Sequence, residues 1–163
     1  MPESDDAPFH SLVDPNSANG FPPSGGGSGG FAFSLEPGGE AFVPRYGVAY
    51  AVRGGKASAG ASGVAVTREA GVSFSGDGGV SVAHHAGSAS CGAHGVAVAI
   101  SAGEKPGRVK GKAHATLVLR WIANGTEYSK TARVGEEVDG IRIEPHVWYT
   151  LDRINYRWLA IPD

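Results

Sequence analysis

The chain has 163 residues, a length that fits one domain or one domain plus a tail. A net charge of −2 at neutral pH excludes a strongly basic or acidic protein, and the single cysteine, Cys91, excludes any intramolecular disulfide. The composition stands out in one respect, its 26 glycines, and their placement along the chain is regular.

Residues 1–40 are rich in Pro, Gly, Ser and Asp, and Ser24 to Gly30 reads SGGGSGG. Such a segment buries too little apolar surface to offset its ordering entropy, so a flexible arm is expected. It is also acidic: Glu3, Asp5, Asp6, Asp14, Glu36 and Glu40 precede the first basic residue, Arg45. Phe31, Phe33 and Phe42 are the exceptions to its polar character, and are expected to dock on the first repeat unit and shield its open end. No basic segment followed by an apolar run occurs near the N-terminus, and no apolar stretch is long enough to span a bilayer. A soluble cytoplasmic protein without a membrane partner is expected.

Residues 41–112 hold a repeat. Glycine recurs every eight residues at Gly47, Gly55, Gly63, Gly71, Gly79, Gly87, Gly95, Gly103 and Gly111. The units read GVAYAVRG, GKASAGAS, GVAVTREA, GVSFSGDG, GVSVAHHA, GSASCGAH and GVAVAISA. Each alternates large and small side chains and then turns, which is the signature of a short strand followed by a tight turn. Repeated at fixed period, that unit predicts a β-solenoid whose coils stack at about 4.8 Å. Alternate units share a character: Val48, Val64, Val80 and Val96 follow one set of glycines, and Lys56, Val72 and Ser88 follow the other. The coil is therefore two units, 16 residues with two faces. The other parity is uniformly small, from Ala49, Ala51, Ala57 and Ala59 to Cys91, Ala97 and Ala99. Turning the valines inward would also bury Lys56 without a partner, at a cost on the order of several kcal/mol. The small residues are expected inside, which leaves Val64, Val66, Val80, Val82, Val96 and Val98 on a flat apolar outer face.

The repeat ends in a basic run of Lys105, Arg108, Lys110 and Lys112. It lacks interleaved aromatics and reads as a solvated face, so no direct nucleic-acid partner is expected. Residues 113–163 then form a small antiparallel β cap. Ala115–Ile122 alternates like a strand, Asn124-Gly125 is a strong hairpin signal, and Thr126–Arg133 returns. Asn124-Gly125-Thr126 also matches a glycosylation acceptor, but is read as that turn. A polar turn over 134–140 carries Glu136, Glu137 and Asp139, and further strands are expected over 141–144, 146–151 and 155–161. The cap holds all three tryptophans and is suited to closing the last edge of the solenoid.

The repeat and this tail together resemble a group of bacterial proteins built on a GGTATAGD-type octapeptide. There the repeat runs into a segment similar to "ILRWWDGKRYR…VGEDGIKPNTPYRLD", matched here by LVLRW at Leu117–Trp121 and NGTEYSKTARVGEEVDGIRIEPHVWYTLD from Asn124 to Asp152. The resemblance implies a solenoid with a cap and carries over no activity and no functional residue. Where the family pattern has an outward Thr-x-Thr, this chain mostly has Val-x-Val, an apolar ladder in place of a hydroxyl one.

Chemistry-bearing residues are few. His84 and His85 fall at one turn and His94 at the opposite one, roughly 16 Å apart along a strand at about 3.3 Å per residue, so with Cys91 they make no common metal site. Arg53, Glu69 and His85 form a surface column one coil apart. Glu136, Glu137 and Asp139 read as an exposed turn rather than an acid–base pair. SGGGSGG lacks the Lys and Ser/Thr of a phosphate loop, and no nucleophile signature is present. Thr67 is the one threonine in the repeat, too few for an ice-binding face. The sequence therefore points to a non-enzymatic, cofactor-free protein-binding module that contacts its partner through the valine face and the Glu136–Asp139 loop. The expected form is a cytoplasmic immunity protein that occludes a cognate toxin or effector domain, nuclease toxins included. The alternative is a structural protein that dimerises through the same face.

Overall fold

The computed structural model describes residues 29–162. They form an all-β structure with two seven-stranded sheets and one two-stranded ribbon. No helix long and apolar enough to cross a membrane occurs among the described residues. The first sheet receives β1 (Phe31–Ser34), β3 (Val48–Ala51), β5 (Val64–Thr67), β7 (Val80–His84) and β9 (Val96–Ala102). The second receives β2 (Glu40–Val43), β4 (Lys56–Ala59), β6 (Val72–Ser75), β8 (Ser88–Cys91) and β10 (Arg108–Gly111). The chain alternates between sheets, and strands within a sheet pair in parallel at an offset of 16 residues, as Val64↔Val80 and Lys56↔Val72 show. This is the expected β-solenoid with two strands per coil.

The small residues face inward. Ala49, Ala57, Ala65, Ser73, Ser81, Ala89 and Ala97 are all fully buried. The interior is thin enough for serines on opposite sheets to touch: Ser81 Oγ donates to Ser73 Oγ at 2.7 Å. The sheets thus lie closer than the ~10 Å of ordinary face-to-face packing. Lys56 points outward, where its ammonium meets Glu40 at 2.8 Å, so the burial penalty attached to the opposite parity is avoided.

The octad glycines answer to close approach. A Cβ on Gly71 would sit 2.6 Å from the Gly55 carbonyl oxygen one coil back and 2.7 Å from Thr67 Cβ. On Gly79 the corresponding contacts are 2.7 Å to the Gly63 oxygen and 2.9 Å to Ser75 Cβ. Between Gly47 and Gly111 the octad register breaks once. Around Gly103 a Cβ would meet nothing, whereas on Gly107 it would meet Ala99 Cβ at 2.7 Å and the Gly87 oxygen at 3.1 Å. β9 runs on to Ala102, a loop intervenes, and Arg108 pairs with Ser88, twenty residues back instead of sixteen. Gly103 and Gly111 therefore match the count without holding the octad position, which Gly107 takes.

The parallel ladder also begins earlier than residue 41. β1 pairs with β3 in register Phe31↔Val48 and Phe33↔Tyr50. Phe31 and Phe33 are 71 % and 57 % exposed and extend the outward columns. They do not fold over the open end, because their strand is itself the first rung. The expectation of a flexible arm over residues 1–28 lies outside the described residues.

The C-terminal segment continues both sheets. β11 (Thr116–Ala123) pairs in parallel with β9 and antiparallel with β12 (Thr126–Arg133). Asn124 and Gly125, at φ 51° and 75°, make the two-residue hairpin turn between them. β13 (Glu137–Val138) and β14 (Ile141–Arg142) form the ribbon. β15 (Trp148–Leu151) adds antiparallel to β10, and β16 (Trp158–Ile161) adds to β15. Here the core changes from alanine and serine to Leu117, Leu119, Trp121, Ile143, Tyr149, Leu151 and Trp158, all buried. Each such side chain contributes about 1.5–3 kcal/mol on burial, so the cap anchors a solenoid whose own interior offers little apolar area.

At the turns from the first sheet to the second, two successive residues have positive φ. They are Arg53 and Gly54, then Glu69 and Ala70, then His85 and Ala86. The left-handed region costs a non-glycine residue about 1–2 kcal/mol, partly offset by the larger unfolded-state entropy of glycine. Gly54 already uses glycine at the second position. Ala70→Gly and Ala86→Gly are therefore expected to stabilise the protein, by about 0.5–1 kcal/mol each, in urea unfolding.

Candidate protein-binding face

Val64, Val66, Val80, Val82, Val96 and Val98 lie together on the outer face of the first sheet, half-buried by one another. Their columns are continuous: Val64, Val80 and Val96 in one, Val66, Val82 and Val98 in the next. Val48 and Tyr50 carry both columns back to Phe31 and Phe33, whose rings stack at 6.3 Å. Ile100 and Val118 extend the apolar surface toward the cap. These additions are legible in part, since GFAFS at Gly30–Ser34 has the same glycine-large-small pattern as the repeat. None of the described elements crosses this face, because the C-terminal strands add to the sheet edges instead of folding back.

A third column borders the valines and mixes charged or polar side chains with Ile100. Arg68 and His84 lie in it, followed by Ile100 and Arg120. Desolvation lowers the pKa of His84 below the usual histidine value, with His85 and Arg68 adding repulsion of the same sign. Arg120 makes a two-pronged pair with Glu127 at 2.8 and 2.7 Å. That hydrogen bonding holds the Glu127 carboxyl below the ordinary range.

Glu136, Glu137 and Asp139 lie elsewhere, beyond β12 at the capped end. Glu136 accepts the Arg133 backbone N–H at 2.9 Å, closing its own turn. Asp139 accepts Lys130 Nζ at 2.6 Å and the Trp158 backbone N–H at 3.1 Å, tying β12 in one sheet to β16 in the other. Its carboxyl is held below the ordinary range, first by Lys130 and then by Trp158. Glu137 alone of the three projects without an internal partner among the described residues. The acidic loop and the valine face are separate surfaces, and two of the three carboxylates are structural.

The histidines and the cysteine stay apart. His84 and His85 meet edge-on at 6.5 Å, and His94 stacks on His114 at 5.1 Å on the opposite edge. The second pair is hidden in the sequence because the four-residue register shift obscures their alignment. Among the described residues, no three His, Cys, Asp or Glu side chains come together to hold a metal ion. Cys91 is buried, and burial pushes its thiol pKa up to about 11. Arg53, Glu69 and His85 fall in one turn column, but no ion pair joins them among the described residues. Two shallow depressions lie at the capped end, one lined by Val147, Ala160, Ile161 and Pro162, the other by Lys105, Pro106, Thr150 and Asp152 among others.

No protein family, curated protein or solved structure matches the chain.

Two measurements check this geometry. Asp139 has a depressed folded-state pKa, so its contribution is present above the unfolded carboxyl range and lost as pH falls through the folded value. Asp139→Asn is expected to cost about 1–2 kcal/mol at neutral pH and to converge with the parent protein under acid conditions. Cys91 in the folded chain is expected to resist a thiol reagent at pH 8 and to react on unfolding.

Proposed function

We propose that this protein is a non-enzymatic binding module whose outer valine face receives a protein partner. One observation carries the reading. A continuous apolar surface runs from Phe31 to Val118 on a rigid sheet, and nothing among the described residues covers it. Soluble monomers rarely leave so large an apolar face bare. The chemistry available there is contact: branched and aromatic side chains held at strand spacing, bordered by Arg68 and Arg120. The bordering cations would set the orientation of a partner more than its affinity.

In its narrowest form the proposal is a cytoplasmic immunity protein that occludes a toxin or effector domain with this face. Self-pairing through the same face is the second reading, favoured by its flatness and its regular strand spacing. Val82→Lys separates a binding face from an inert one, because Val82 points outward and its replacement leaves the core untouched. The tagged protein is expected to capture one stoichiometric partner from its native lysate, and Val82→Lys to lose it while melting at the parent temperature. A clean homodimer broken by Val82→Lys would shift the reading to self-pairing. A monomer that captures nothing would remove both.

A further inference from the structure

The outer face of the second sheet differs in character from the valine face. One of its columns runs Phe42, Ser58, Phe74, Ser90 and Lys110, and the adjacent column runs Glu40, Lys56, Val72, Ser88 and Arg108. Phe42 and Phe74 are 57 % and 42 % exposed. They lie two strand steps apart, about 10 Å, and Phe74 lies the same distance from Lys110. The antiparallel return of β15 then sets Trp148 beside the basic run. The Arg108 guanidinium carbon lies 4.7 Å and Lys110 Nζ 4.5 Å from the centre of the Trp148 ring. Arg108 Nε also donates to Ser88 Oγ at 2.6 Å.

These contacts hold two cations in place without neutralising them. Lys105, Arg108, Lys110 and Lys112 have no carboxylate within ion-pair distance among the described residues. Among the described residues, the acid in these two columns, Glu40, is matched by Lys56. In linear order the basic run reads as a solvated face because no aromatic interrupts it. In the fold Trp148 and Phe74 supply what the linear order lacks.

We propose that this face binds single-stranded nucleic acid, with phosphates on Arg108, Lys110 and Lys112 and bases stacked on Phe74 and Phe42. Trp148 is a positioning residue that aims the two cations. A sheet face bearing outward aromatics beside cations is a platform on which unpaired bases stack while the backbone is held electrostatically. The serines between the aromatics offer hydroxyls to the sugar-phosphate chain. An acidic peptide would use the cations but leave the phenylalanines idle, and a duplex would hide its base faces from them. The proposal uses the sheet opposite the valine face and does not depend on the protein partner.

The test is fluorescence anisotropy of the full chain with labelled oligothymidine and oligouridine. Binding is expected to weaken about tenfold between ~50 and ~200 mM salt, as for the release of two or three counterions. Phe74→Ala should weaken it a further tenfold or so, with Phe42→Ala as a second aromatic probe. Lys110→Gln should lower both the affinity and the salt dependence. Arg142→Gln, which removes an exposed cation from the two-stranded ribbon outside both faces, should change nothing. Absence of binding at low salt would overturn the proposal. So would unchanged affinity in both phenylalanine variants, an oligoglutamate that competes as well as the oligonucleotide, or a duplex that binds as tightly as the single strand.

Discussion

The approach of each octad glycine to the carbonyl of the glycine one coil back sets the terms for the rest of the molecule. Val64 N–H reaches the Gly47 oxygen at 2.8 Å, and Val80 N–H reaches the Gly63 oxygen at 2.9 Å. That contact closes the coil so tightly that a Cβ at the glycine has no room. With the turn this sharp, the two sheets lie close together, and from β3 to β9 the inward positions hold only Ala, Ser, Thr or Cys, with Val43 and Val109 buried at the two ends of that stretch. The larger residue of each alternating pair is therefore turned outward. The apolar outer face is a consequence of a narrow interior. The same constraint explains why stability is concentrated in the cap, where the sheets part enough to admit Leu117, Trp121 and Tyr149.

A narrow interior also carries a polar burden. Ser81 and Ser73 solve it by bonding to each other across the sheets, and Ser73 reaches on to the Ser88 carbonyl at 3.5 Å. Thr67 Oγ1 and Ser75 Oγ find no partner among the described residues. A buried hydroxyl without a partner costs about 1–3 kcal/mol, so these positions are occupied for their size and at some loss.

Much of this is legible in the residues. The eight-residue glycine period and the contrast between valine and alanine parities lead to coil length and facing, and Asn124-Gly125 leads to the hairpin. The features that escape are those that depend on where strands land. The shift from Gly103 to Gly107 is invisible in the glycine count, because both Gly103 and Gly111 keep the period. Phe31 and Phe33 sit in a glycine- and serine-rich stretch whose composition masks a strand. Trp148 meets Arg108 and Lys110 only because β15 returns antiparallel beside β10, a pairing across the whole cap. Asp139 reads as surface in the sequence, and its role in tying β12 to β16 comes from the cap closing over it. The two outer faces thus differ in how they can be read: the valine face is written locally, and the basic-aromatic face is assembled.

The central claim is the facing of the two parities, and a pair of substitutions one residue apart tests it. Ala65 is fully buried, while its neighbour Val66 belongs to the outer columns. Urea unfolding of Ala65→Val and Val66→Ser measures both. The account predicts that the added bulk of Ala65→Val unfolds or severely destabilises the chain, by about 3 kcal/mol or more, while Val66→Ser is tolerated within about 1 kcal/mol. A stable Ala65→Val protein beside a collapsed Val66→Ser would show that the valines form the core, and would contradict both the fold and the face proposed for binding.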